Sequence, residues 1–121
     1  MNIEEIRDYC LAKPGVTEGL PFGEDTLVFK VGEKLFLLIS ISDSSHFNVK
    51  CDPERVIELR EQHSEVRPGY HMNKKHWNTV STDGNLTRRQ LCEMIDHSYD
   101  LVLKSLPKNV RENINQVPKK S

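Results

Sequence analysis

The sequence predicts an α+β fold, a two-layer sandwich of an antiparallel sheet and helices, on three observations. The chain has 121 residues, which is the usual length of one domain with one two-layer core. Apolar residues recur at helical spacing near both ends and at alternating spacing between them. The connections between these segments are short, which favours paired antiparallel strands over a parallel sheet with crossover helices.

The chain opens with a helix. Apolar residues recur there with the period of one helix face: Ile3, Ile6, Cys10 and Leu11. Asn2 precedes them and can accept a hydrogen bond from a free amide of the first turn. Lys13-Pro14-Gly15 ends the helix, because proline and glycine interrupt helical backbone.

Three strands follow the first helix. Side chains alternate over residues 26–31, and Gly32-Glu33 offers a hairpin turn into a second strand from Leu35 to Ile41. That second strand is apolar on both faces, so we expect it near the centre of the sheet, covered by helices on one side and partly covered on the other. Asp43-Ser44-Ser45 turns the chain into a third strand, which alternates up to Cys51.

The second half of the chain adds two helices and two strands. Asp52-Pro53-Glu54 begins a helix, because aspartate caps free amides and proline is tolerated at the first helical position. Val66-Arg67 predicts a short strand, and His76 to Ser81 predicts a longer one. Thr87-Arg88-Arg89-Gln90 matches a capping box at the start of the last helix, whose apolar stripe continues to residue 106. The predicted order is α-β-β-β-α-β-β-α.

The composition indicates where the protein works and how it is organised. Leu35–Ile39, the longest apolar stretch, is far shorter than the roughly 18 residues that span a bilayer, and the N-terminus lacks the features of a signal peptide. We therefore expect a cytoplasmic protein without a membrane segment. Residues 1–116 are expected to form one domain, and residues 117–121 a loose Lys/Pro-rich tail. Cys10, Cys51 and Cys92 are widely separated and predict reduced thiols rather than disulfides.

Charge is unevenly distributed along the chain. Residues 1–65 hold 7 Lys/Arg and 13 Asp/Glu, a balance of −6, whereas residues 66–121 hold 10 and 5, a balance of +5. A basic half of this kind could bind a polyanion such as a nucleic acid. The alternative is that both sets lie on solvated faces, where folding mixes the two halves.

The candidate nucleic-acid site consists of a basic loop or wing, residues 66–78, together with Arg88. If residues 69–75 are a loop before a strand, the cations there could contact phosphates like a wing, and aromatic rings could stack on bases. The candidate contact residues are Arg67, His71, Asn73, Lys74, Lys75, Trp77 and Arg88. Arg88 begins a helix, where the helix dipole disfavours a cation, and its position indicates a nearby anion. The competing interpretation makes Trp77 a core anchor with a hydrogen-bonded indole nitrogen, and the two lysines ordinary solvated side chains.

No catalytic or metal-binding pattern is found. Cys51 precedes a helix start and His46 lies on the same strand, but their separation of five residues places them on opposite faces, so core packing is the better interpretation of Cys51. The histidines and cysteines show no spacing typical of metal ligands. We expect no enzymatic activity, no cofactor and no metal.

Five sequence blocks occur in the order of a known family: Pro21-Phe22-Gly23, residues 30–36, residues 50–54, residues 68–77 and Ser98-Tyr99. In these blocks the chain resembles the MmcQ/YjbR-like family over nearly its whole length. The resemblance implies an α+β fold akin to type III secretion chaperones. It also implies a winged DNA-binding surface, which has been proposed for this group, but no established active site.

Two hypotheses for function follow. The first is a non-enzymatic module that contacts the phosphates of double-stranded DNA through the basic loop of residues 66–78. The second is a protein-binding or small-ligand-binding domain, suggested by the chaperone-like fold and by the strand from Leu35 to Ile41, which is apolar on both faces.

Overall fold

The computed structural model describes residues 1–69 and 72–116. The helices are α1 (Ile3–Leu11), α2 (Pro53–Gln62), α3 (Arg88–Ser105) and α4 (Lys108–Gln116). The strands are β1 (Val16–Gly19), β2 (Thr26–Val31), β3 (Lys34–Ser40), β4 (His46–Lys50), β5 (Val66–Pro68) and β6 (Trp77–Ser81). They form one antiparallel sheet in the order β1-β2-β3-β4-β6-β5. The predicted α+β architecture is confirmed, while the predicted tail lies outside the described residues.

Two elements were not predicted, so the order is α-β-β-β-β-α-β-β-α-α instead of α-β-β-β-α-β-β-α. Strand β1 pairs with β2 at one edge of the sheet and buries only Val16, so its sequence lacks a clear alternation. Helix α4 is largely polar and packs on the core through Val110 and Ile114, a pair too sparse to indicate a helix in isolation.

The helix starts are built as the sequence predicted. Asn2 and Glu5 form a reciprocal capping box at α1, and Asp52 accepts a hydrogen bond from the amide of Glu54 at α2. Thr87 and Gln90 form the capping box of α3. These local contacts satisfy amides that have no partner within the helix, which explains why the helix starts were predictable from sequence.

Strand β3 lies inside the sheet, and α3 packs across it. Leu37 faces Phe29 of β2 and Leu35 faces Lys30, so Phe36 is an extra residue in a β-bulge. The bulge turns Phe36 toward the helices, where its ring meets the ring of Tyr99 edge-on with centroids 5.5 Å apart. The expected central, doubly apolar strand is thus confirmed.

The hairpin turn between β2 and β3 was also predicted correctly. Gly32 and Glu33 both adopt positive φ angles, 56° and 67°, as a two-residue turn that matches the twist of the strands requires. Gly32 also packs against α3, because a Cβ atom built there would lie 2.5 Å from a side-chain carbon of Leu106. The turn therefore needs glycine both for its backbone and for its contact with the end of α3.

Ser98 anchors α3 to the sheet. Its side chain is fully buried, and its hydroxyl donates to the carbonyl of Phe36 and accepts from the amide of Lys50. One small side chain thus satisfies polar backbone groups on both β3 and β4. The adjacent Tyr99 hydroxyl donates to the carbonyl of Pro14 at 2.6 Å, which ties the end of the α1 segment to the same helix.

Candidate nucleic-acid interface

The sheet has one side covered by helices and one open side. Residues paired across antiparallel strands share a side, and neighbours along a strand alternate. The side chains directed to the open side are those of Thr17, Thr26, Val28, Lys30, Leu35, Leu38, Ser40, His46, Asn48, Lys50, Arg67, Trp77, Thr79 and Ser81. Among the described strands, the open side therefore carries Lys30, Lys50 and Arg67 but no carboxylate. Glu18 of β1 points the other way and binds Arg7 of α1 at 2.6 Å.

Two neighbouring concave regions lie on this open side, share His46 as a lining residue and are together called the groove. The cationic end of the groove lies beside β5. This end has a cavity volume of about 540 Å³ and is lined by His46, Arg67, Pro68, Lys74 and Thr79. Arg67 comes from β5, whereas Lys74 comes from the loop that precedes β6. Two cations that are seven residues apart in sequence are thus brought to one concave surface, together with a histidine from β4.

The apolar end of the groove adjoins the cationic end at His46, which lines both. It has a cavity volume of about 420 Å³, and its lining includes Phe22, Leu35, Leu38 and Met72. Phe22 stands in the connection between β1 and β2 with 63% of its surface exposed. The exposed aromatic ring and the half-buried leucines give this end the chemistry of a surface that can contact an apolar or aromatic group.

The sequence indicated no nucleic-acid contact for His46, so its place in the groove was missed. Strand β4 alternates so that His46 and Asn48 face the open side while Phe47 and Val49 face the helices. That alternation was the signal that could have assigned His46 to the open side. The Nδ1 atom of His46 lies 3.8 Å from the carboxylate of Asp43, so an anion is close to this imidazole at the groove.

Arg60 of α2 holds the loop that carries Lys74. Its guanidinium donates to the side-chain oxygen of Asn78 at 3.0 Å, to the carbonyl of Trp77 at 3.1 Å and to the carbonyl of Lys74 at 2.5 Å. Asn78 is buried, so this bond satisfies an acceptor that water does not reach. Arg60 was not singled out in the sequence, because an arginine late in a helix resembles any solvated cation.

Asn73 shapes the same loop. Its side-chain oxygen accepts from the amide of Lys75 at 2.9 Å, and its carbonyl accepts from the amides of His76 and Trp77 at 3.1 and 2.9 Å. An asparagine that bonds to backbone two residues on is typical of a tight turn. The structure therefore gives Asn73 a role in loop geometry, and contact with a ligand stays a prediction.

The remaining predicted residues are distributed as follows. Lys75 is exposed on the same loop as Lys74 but does not line the groove, and His71 lies outside the described residues. Trp77 is half-buried on the open side, and its indole N–H makes no hydrogen bond to any residue in the described ranges. Trp77 also lies outside the hydrophobic core of the described residues, so the structure does not support the interpretation as a core anchor, and contact of its ring with a ligand stays a prediction.

Arg88 does not join this surface. It forms an ion pair with Glu5 of α1, and this hydrogen-bonded arginine lowers the pKa of the Glu5 carboxyl. The anion that its position at a helix start indicated is thus part of the protein itself. Arg89 likewise pairs with Glu93, one turn along α3, at 3.3 Å. The cations at the start of α3 are already matched by carboxylates, whereas Arg67 and Lys74 form no ion pair with a carboxylate of residues 1–69 or 72–116.

Cys51 lies apart from His46, as the spacing predicted. It lines a separate narrow cavity of about 10 Å³ with His97 and Arg55, which is room for about one water molecule. Burial raises the pKa of the Cys51 thiol, so the thiolate that nucleophilic chemistry requires is disfavoured. His97 accepts from the amide of Asp52 at 3.1 Å, and burial, then Arg55, lowers its pKa. This cluster serves packing and helix capping.

Residues 1–69 and 72–116 carry neither of two further features, a metal site and a membrane span. No group of three or more His, Cys, Asp or Glu side chains there could hold a metal ion. None of the helices in these ranges has the length and hydropathy of a membrane span.

Comparison with known proteins places this geometry in context. A family model described as YjbR matches residues 11–101. The Escherichia coli (strain K12) protein with the name Uncharacterized protein YjbR is 36% identical over 118 residues, covering 97% of this chain and all of the relative. Uncharacterized protein YbdF of Escherichia coli O157:H7 is 33% identical over 112 residues, or 92% of each chain.

Solved structures of similar proteins share the fold. One is the crystal structure of Deinococcus radiodurans protein DR2400, with the family-model domain DUF419, which superposes on this chain with a TM-score of 0.89. The two sequences are 36% identical, and the match covers 99% of this chain and 92% of the DR2400 chain. A Pseudomonas syringae protein has a TM-score of 0.71 and 29% identity, covering 84% of this chain and 99% of its own. The names of these relatives state no activity.

Proposed function

The chain belongs to the YjbR family, and from the open-face groove of this member we propose that it is a non-enzymatic DNA-binding protein that contacts phosphates through Arg67 and Lys74. The observation that supports this proposal most is the charge of the open side. Arg67 and Lys74 line one concave surface, and no carboxylate of the described strands faces it. The supporting loop is held by Arg60, which limits the entropy lost when Lys74 binds a ligand.

The charge arrangement explains how a chain with a formal net charge of −1 could bind a polyanion. Long-range attraction is weak for such a protein, so binding depends on local contacts between cations and phosphates. Glu18 of β1 faces the helix side and Glu5 pairs with Arg88, so neither of these carboxylates faces the groove, whereas Asp43 lies 3.8 Å from His46 at the groove. We expect modest affinity, in the range of about 10⁻⁴ to 10⁻⁶ M that is typical of non-specific binding.

The test is fluorescence anisotropy of a labelled duplex titrated with the protein at about 50 mM and about 200 mM salt. We expect saturable binding that weakens at the higher salt, because each neutralised phosphate releases counterions. The variants Arg67→Gln and Lys74→Gln should each weaken binding to any sequence alike and lower the slope of log K against log salt by about 1.

Arg89→Gln is the matched control, because it removes the same charge from an exposed site on α3 that pairs with Glu93. It should leave the affinity within about twofold of the parent protein, since surface charges outside the contact act only through the screened net charge. The proposal fails if the parent protein does not bind DNA at low salt, or if Arg89→Gln weakens binding as much as Arg67→Gln does.

The apolar end of the groove favours a second candidate, a binding site for a protein segment or small molecule. Phe22, Leu35 and Leu38 offer the mostly apolar lining that such ligands require. If this candidate is right, the affinity for such an apolar ligand should change little with salt concentration and should be retained in the Lys74→Gln variant. The same pair of substitutions therefore separates it from the DNA proposal.

A further inference from the structure

The two ends of the groove differ in chemistry but meet at one side chain. Arg67 and Lys74 lie at the cationic end, Phe22 and Leu38 lie at the apolar end, and His46 lines both. A ligand that follows the groove would therefore meet cations and an apolar surface in succession. The question is which form of nucleic acid matches both ends.

A duplex matches only the cationic end. Its phosphates lie on the outside, but its base faces are stacked inside the helix, so a base can cover an exposed phenyl ring only after a base step is unstacked, which costs free energy. A single strand presents phosphates and unstacked base faces along the same stretch of chain, and proteins bind it by combining cationic grooves with aromatic side chains. Phe22, with 63% of its surface exposed at the groove, is placed to accept such a base.

We propose that the groove prefers single-stranded nucleic acid, with phosphates on Arg67 and Lys74 and a base against Phe22 at the apolar end. This inference rests on the proposed function and deepens it by assigning the form of the nucleic acid. Leu38 and Met72 form the apolar surroundings of the bound base. Because every base has a π face, the site is tolerant of sequence.

The test compares a labelled single strand of about 12 nucleotides with the duplex of the same sequence, both by anisotropy at about 50 mM salt. The single strand should bind at least about fivefold more tightly, which is the lower end of the gain from one stacked base. Phe22→Ala should weaken single-strand binding by about 5- to 100-fold and leave duplex binding within about twofold. Phe22→Tyr, which keeps the ring, should retain the preference.

Ile57→Ala is the matched control for the loss of an exposed apolar side chain. Ile57 stands on α2 with 64% of its surface exposed, nearly the same fraction as Phe22, but it does not line the groove. Its removal should change neither affinity. Unchanged far-UV circular dichroism and urea midpoint in Phe22→Ala would show that its effect is local, as expected for so exposed a residue.

The outcomes separate this inference from the proposed function. If neither DNA form binds, the proposed function itself fails. If the duplex binds as tightly as the single strand and Phe22→Ala leaves both unchanged, the preference for single strands is overturned while phosphate binding stands. If Phe22→Ala weakens both forms equally, the apolar end supports the fold of the groove and does not contact a base, which also overturns the inference.

Discussion

Removal of the Arg60 side chain should destabilise the protein by an amount that its three acceptors determine. The carbonyl of Trp77 also accepts from the amide of Gly69 at 2.9 Å, and the carbonyl of Lys74 lies in an exposed loop where water can replace the guanidinium. The side-chain oxygen of Asn78 is different, since it is buried and Arg60 is its donor. A buried acceptor left without a partner costs about 1–3 kcal/mol, so we expect Arg60→Ala to lose about 2 kcal/mol.

The assay is urea unfolding followed by circular dichroism and by the fluorescence of Trp77, which is the single tryptophan of the chain and adjoins the perturbed site. Arg89→Ala is the control, because its exposed ion pair should contribute less than about 1 kcal/mol. In a double-mutant cycle with Asn78→Ala, the two losses should fall short of additivity by about 1 kcal/mol or more. Additive losses, or a change of less than about 0.5 kcal/mol for Arg60→Ala, would refute this account of the loop.

Three further predictions concern the core and the helix caps. Stability should fall as the pH drops below about 6.5, because burial lowers the pKa of His97 in the folded protein and the unfolded chain then binds the proton more readily. The urea midpoints of the parent protein at about pH 7.5 and about pH 5.5 should therefore differ. The difference should be smaller in His97→Gln, whose side chain cannot titrate. Ser98→Ala should cost about 2 kcal/mol in the same assay, since it leaves the buried carbonyl of Phe36 and the partly buried amide of Lys50 without this partner. Gly32→Val should lower the free energy of unfolding by more than about 2 kcal/mol, because it combines a strained positive φ with a clash against Leu106. Gly23 also has a positive φ, but no atom lies near the added carbon, so Gly23→Ala should show the cost of backbone strain alone.

The local part of the fold was predictable because its signals are local. Capping residues, the Gly32-Glu33 turn and the doubly apolar β3 each act within a few residues, and all were read correctly from the sequence. Strand β1 and helix α4 were missed because their order depends on neighbours. Each contributes few buried side chains and gains its partners only once the sheet and α3 are in place.

The site was predictable only where its residues share one segment. Arg67 and Lys74 were both expected at a basic loop, and the structure places both at the groove. Arg88 was expected with them, but its partner Glu5 lies 83 residues away in sequence, and no local pattern shows such a contact. Phe22 belongs to a recognised sequence block, yet only the fold brings it across the sheet toward His46.

The two edge strands bear on the behaviour of the protein at high concentration. Strand β1 has four residues and β5 has three, one of them Pro68, which has no amide to donate. Such short edges offer little backbone for another copy to pair with, so the native sheet resists growth by strand addition. The segment most prone to form fibrils, Leu35–Ile39, is held inside the sheet. The rate of aggregation should therefore rise with the fraction of unfolded chains, and concentrated solutions of the folded protein should show no increase in light scattering.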